Sequence, residues 1–62
     1  MNIHLNGRPR VVADGTTVQA LVPSARGVAV AVNGAVVPAS SWGSTGLSED
    51  DAVEIVTAQQ GG

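Results

Sequence analysis

Apolar and polar residues alternate from the first position, with Met1, Ile3 and Leu5 set against Asn2, His4 and Asn6. A period of two marks a half-buried strand. Asn6-Gly7 follows, a favoured pair for a two-residue hairpin whose central positions both need positive φ. The pattern predicts a returning strand over residues 8–13. Pro9 confines it to a sheet edge, because proline has no N–H to give to a ladder. Asp14-Gly15 signals a turn, and Thr16 and Thr17 are candidate N-caps. Val18, Leu21 and Val22 fall at i, i+3 and i+4, one face of a short helix. Pro23 disfavours helical geometry at Val22 and ends or kinks the helix there. A helix so short persists only if packing holds it.

The next run, Val28-Ala29-Val30-Ala31-Val32, is the clearest strand, with valines on one face and alanines on the other. Asn33-Gly34 gives a second hairpin signal, and Ala35-Val36-Val37 returns before Pro38. Residues 39–48 read as a loop rich in Ser and Gly, anchored by Trp42 and Leu47. Glu49-Asp50-Asp51 reads as a turn and residues 52–57 as the last strand. Glu54 pointing to water sends Val53 and Ile55 to the core.

Hairpin, short helix, hairpin, loop and strand fit one mixed sheet with the helix across one face. The last strand is separated from the first by a connection long enough for parallel pairing, so it can lie centrally between the hairpins. The expected fold is therefore α+β, a β-grasp of the ubiquitin-like kind. Residues 1–58 would form the domain and residues 59–62 a flexible C-terminal tail.

Composition narrows the function. With 62 residues there is room for one domain. The core must come from aliphatic side chains, because Trp42 is the sole aromatic residue. No apolar run approaches the roughly 20 residues of a membrane helix. The opening MNIHLNGRPR has neither the basic start nor the apolar block of a signal peptide. A cytoplasmic location away from membranes is expected. A net charge of −2, with Arg8, Arg10 and Arg26 the only basic residues besides His4, argues against nucleic acid. Cysteine is absent, which excludes disulfides, thiolate metal sites and a cysteine nucleophile. If the protein handles reactive sulfur, the terminal carboxylate is the remaining place to hold it.

That carboxylate belongs to the stretch Gln59-Gln60-Gly61-Gly62. Residues 58–62 can reach on the order of 15 Å when extended, and the two glycines are thin enough for a narrow channel. The carboxylate is ionised at neutral pH and can attack an activated phosphorus. Adenylation would make it an acyl donor, from which a sulfur nucleophile displaces AMP. The chain has no GxxxxGK[ST] phosphate loop, so ATP must bind a partner, and no cofactor is assigned to the chain itself. The competing reading is a frayed terminus.

The second candidate is the sheet face away from the helix. Ala29, Ala31, Val56 and Ala58 form an apolar partner surface, set against the reading of a mild solvated face. Trp42 reads as a plug at one end of a thin core and His4 as a surface histidine. Glu49-Asp50-Asp51 reads as a solvated turn, and the Asn-Gly pairs as turn chemistry alone. No residue is assigned a catalytic or metal-binding role.

Several pieces, taken in order, resemble the ThiS family, the bacterial sulfur carriers of thiamine biosynthesis. They are MNIHLNG, Asp14-Gly15-Thr16-Thr17-Val18 with Leu21-Val22, VAVAVNG with Val36-Val37-Pro38, Trp42 four residues after that proline, and VEIVTAQQGG. The resemblance implies a β-grasp fold and a non-enzymatic carrier. It further implies adenylation of Gly62 by an E1-like, ATP-dependent activating enzyme, conversion to a thiocarboxylate with a sulfur donor system, and delivery of sulfur to thiazole synthase. The chain departs from the family pattern at Ala39, where a basic residue is usual, and at Glu49-Asp50-Asp51, where Asp-Gly-Asp is usual. Pro23 in a short helix segment is a third departure. The alternatives are the small sulfur-carrier subunit of molybdopterin synthase, a ubiquitin-like protein modifier, and a plain β-grasp adaptor.

Overall fold

A computed structural model describes residues 1–22 and 24–57. Five strands form one mixed sheet in the order β2-β1-β5-β3-β4. They are β1 (Asn2–Leu5), β2 (Arg8–Val11), β3 (Val28–Val32), β4 (Ala35–Val37) and β5 (Ala52–Thr57). The outer pairs are antiparallel hairpins, and β5 joins them, parallel to β1 and antiparallel to β3. This is the β-grasp arrangement, with the last strand central.

The hairpins close as the alternation predicts. Asn6 and Gly7 hold φ of 51° and 80°, and Asn33 and Gly34 hold 50° and 83°. Asparagine tolerates the left-handed region and glycine has no Cβ to clash there. Strand β2 ends at Val11, two residues short of the predicted 8–13. Val12 still donates its N–H to the Met1 carbonyl, and the chain then turns through Asp14 and Gly15.

Helix α1 (Val18–Leu21) is one turn long and ends before Val22, which is extended. Thr17 occupies the N-cap position, but its side chain makes no capping bond. The Thr16 hydroxyl bonds the Ala13 carbonyl instead. The helix start is secured from a distant part of the chain, where Val18 N–H donates to Thr45 O at 3.0 Å and Leu47 N–H to Thr16 O at 2.9 Å. A tertiary bridge thus replaces a local cap.

The predicted loop over residues 39–48 contains a six-residue 3₁₀ helix, η1 (Ala39–Ser44). It packs beside α1, and together they cover the sheet face that a single helical turn is too small to shield. Ile3, Val18, Val22, Val30, Trp42, Leu47 and Val53 form the buried core. Trp42 is 1% exposed and donates its indole N–H to the Val37 carbonyl at 2.8 Å. The bond satisfies the one polar atom that burying a tryptophan brings with it. Val53 is buried while Glu54 and Val56 are exposed, so β5 has the phase that the charge at Glu54 predicts.

Candidate functional site

The tail residues Gln59, Gln60, Gly61 and Gly62, with Ala58 of the expected partner surface, lie outside the described residues. The boundary drawn between residues 58 and 59 lies there too. What is described is the root from which the tail continues. Thr57 pairs with Val28, and Val56 with Ala29. The root therefore stands beside the start of β3, next to the segment carrying Arg26.

Around this root the sheet face opposite the core is open. Ala29 is exposed, Ala31 is half-buried and Val56 keeps 62% of its surface exposed. Two open depressions meet at Val56. One, of about 320 Å³, is lined by Ala25, Gly27, Val28, Ala29 and Val56. The other, of about 190 Å³, is lined by Ala29, Val30, Ala31, Val36, Glu54 and Val56. Three of the four residues expected to form the patch are thus brought together. Val36, 76% exposed, enlarges it and was missed in the sequence reading. Its signal was available: it follows the second Asn-Gly turn at the register opposite Ala31. His4 is exposed, opposite Ala52 on β5.

The Asn-Gly pairs do more than turn the chain. The Asn33 side chain accepts from Ala52 N–H at 2.9 Å and donates to Asp51 Oδ1 at 3.0 Å. Asn6 Oδ1 accepts from Ile55 N–H at 2.8 Å, and its Nδ2 faces the Ile55 carbonyl at 3.3 Å. Each asparagine reaches from its own hairpin to the strand that carries the tail. This corrects the reading of these pairs as turn chemistry alone. A sequence gives no sign of such bonds, because both partners lie far from the turns.

Glu49-Asp50-Asp51 is also more than a solvated turn. Glu49 accepts from the backbone N–H of Asn2 at 3.0 Å and from its Nδ2 at 3.2 Å. The Asn2 backbone N–H, then its side chain, hold the Glu49 carboxyl below the usual carboxylate range. Asp51 Oδ2 accepts from Ser48 N–H at 2.7 Å. These carboxylates spend their lone pairs on the protein, tying the loop before β5 to β1 and β3. Asp50 holds a φ of 67°, and its N–H donates to Asn2 O at 2.7 Å.

Residues 3–62 match the model of the ThiS family. The chain belongs to that family. A solved relative is a thiamine biosynthesis protein (ThiS) from Geobacter metallireducens. It superposes with a TM-score of 0.82 at 33% identity, with each chain covered in full. A thiazole synthase from Magnetococcus marinus is 41% identical over 66 residues. All of this ThiS-family chain takes part in that match, but it spans only 20% of the relative's length. Among the described residues, no helix of this ThiS-family member is long and apolar enough to cross a membrane.

Proposed function

We propose that this chain is a sulfur carrier for thiazole formation in thiamine biosynthesis, and that Gly62 is the atom-bearing end. The observation that carries the reading is the family match, which runs to Gly62 and includes both terminal glycines. In the proposed sequence, a Gly62 carboxylate oxygen attacks the α-phosphorus of ATP on an E1-like activating enzyme, and pyrophosphate leaves. A sulfur donor system then supplies the nucleophile that displaces AMP, leaving a thiocarboxylate. Thiazole synthase takes the sulfur. The chain is a co-substrate in each of these steps and not an enzyme, and the ATP belongs to its partner. The reading puts the protein in the cytoplasm, where ATP for that partner is made.

Two observations support the assignment of partners. A protein named thiazole synthase carries a stretch like this chain within a sequence about five times longer, as expected if carrier and acceptor work in contact. The open apolar face at Val56, Ala29 and Ala31 sits beside the tail root, so a partner gripping that face also receives the tail.

The test is an intact-mass measurement after incubation with an E1-like activating enzyme, ATP and a sulfur donor. The expected result is a gain matching one oxygen-to-sulfur exchange at Gly62. Failure to form an adenylate or thiocarboxylate would sink the reading. Adding thiazole synthase or the large subunit of molybdopterin synthase then separates the two possible acceptors. A higher-mass conjugate through Gly62 would instead indicate a protein modifier.

A further inference from the structure

Strand β5 is paired unequally along its length. On the β3 side its pairs run from Val53 to Thr57. On the β1 side they are His4↔Ala52 and Leu5↔Val53, and stop there. Beyond Leu5 the chain bends away, because Asn6 and Gly7 take positive φ to enter the hairpin. The part of β5 nearest the tail therefore has a backbone neighbour on one side only among the described residues.

The Asn6 side chain occupies the vacated position. Its backbone N–H makes the last β1-type bond, to Val53 O at 2.9 Å. Its carboxamide then continues the ladder by one step, taking the Ile55 N–H at 2.8 Å and facing the Ile55 carbonyl at 3.3 Å. A carboxamide presents one acceptor and one donor edge, as a peptide unit does, so it serves as the strand residue that β1 no longer supplies. The orientation of the amide follows from this pairing.

We propose that Asn6 is a positioning residue for the reaction at Gly62. It fixes the end of β5, and with it Val56 and the tail root, before a partner docks. The proposal rests on the sulfur-carrier reading. A strand end held on one side only must be ordered during docking, and that cost weakens binding without altering the chemical step.

The test compares Asn6→Gly with wild type and with Asn33→Gly. Glycine keeps the positive φ of the turn and removes only the side chain. Asn33→Gly is the matched control, because its carboxamide holds the opposite end of β5, at Ala52. Backbone amide hydrogen exchange is read at Ile55 and Ala52. Steady-state activation by the E1-like enzyme is read as KM and kcat for the carrier. From the usual strength of exposed hydrogen bonds, Asn6→Gly should lose about three- to tenfold of the protection at Ile55 and raise KM by a similar factor. Its kcat should remain within about twofold, as expected when only uniform binding is lost. Asn33→Gly should lose protection at Ala52 and keep the wild-type KM. If Asn6→Gly fails to fold, Asn6→Asp replaces it. That variant retains the acceptor for Ile55 N–H, sets a carboxylate oxygen against the Ile55 carbonyl, and should raise KM in the same direction. For Asn6→Gly, unchanged Ile55 protection, or lost protection with an unchanged KM, overturns the role of Asn6 while wild type still gains sulfur; for Asn6→Asp, which keeps the bond from Ile55 N–H, an unchanged KM does so. A wild-type protein that gains no sulfur overturns the carrier reading, and the role of Asn6 with it.

Discussion

At Asp50 the backbone sits at a φ of 67°, where any side chain beyond glycine crowds the following carbonyl. The Asp-Gly-Asp turn expected from the resemblance would set glycine here, where a positive φ suits it. Asp50→Gly keeps the N–H bond to Asn2 O and relieves both the strain and one of three adjacent negative charges. It should stabilise the domain by about 0.5–1 kcal/mol, after allowing for the greater freedom of glycine in the unfolded chain. Thermal unfolding checks the sign. Glu49 gives a pH prediction. Its carboxyl titrates below the ordinary range because Asn2 donates two hydrogen bonds to the charged form. The stability it contributes is fully present above the unfolded glutamate value of about 4.3. It disappears as pH falls through the lower folded value. Glu49→Gln should therefore be less stable than wild type at pH 7, and the difference should shrink as acid is added below about pH 4. Denaturant titrations at several pH values measure it; a difference constant across that window would contradict the assignment.

Strands carry the fold at the next scale, and their two faces are energetically distinct. Val53 on β5 is 1% exposed, whereas Val11 on edge strand β2 is 78% exposed. Val53→Ala should cost about 2 kcal/mol through lost burial and a residual cavity. Val11→Ala should change stability by less than about 0.5 kcal/mol. Urea midpoints at constant slope test the contrast. The strand faces were legible because alternation and one charged residue, Glu54, set the phase. The cover of the sheet was less so. Trp42 and Leu47 were recognisable as anchors, but the 3₁₀ helix between residues 39 and 44 has neither a cap signature nor a 3.6-residue apolar repeat. It forms because Trp42 must be buried and its indole N–H must find the Val37 carbonyl. The start of α1 was predicted to rest on a threonine cap and rests instead on Thr45, a partner that only folding brings near.

For the whole molecule, the core and the open apolar face proposed for docking lie on opposite faces of one sheet, so they can be perturbed separately. Val56→Arg places a charge on the open face, where 62% of Val56 is already exposed. It should weaken binding to the activating enzyme or thiazole synthase by at least about tenfold, as expected for an unpaired charge forced into an apolar contact, while the unfolding midpoint stays close to wild type. Titration calorimetry and urea unfolding read the two effects, and severe destabilisation would count against the docking role. Deleting Gly62 should abolish the gain of sulfur, read by intact mass, and leave Trp42 fluorescence unchanged. The sequence by itself determined the strands, their buried faces, the hairpin turns and the family, because these depend on local periodicity, turn stereochemistry and the order of motifs. Tertiary structure decided what a linear pattern does not encode. Val36 joins the apolar face through strand register, and Glu49 is bonded by Asn2 across the fold. Asn6 and Asn33, each placed by a turn of its own, reach across to hold β5, and Asn6 does so just before the strand hands on to the tail.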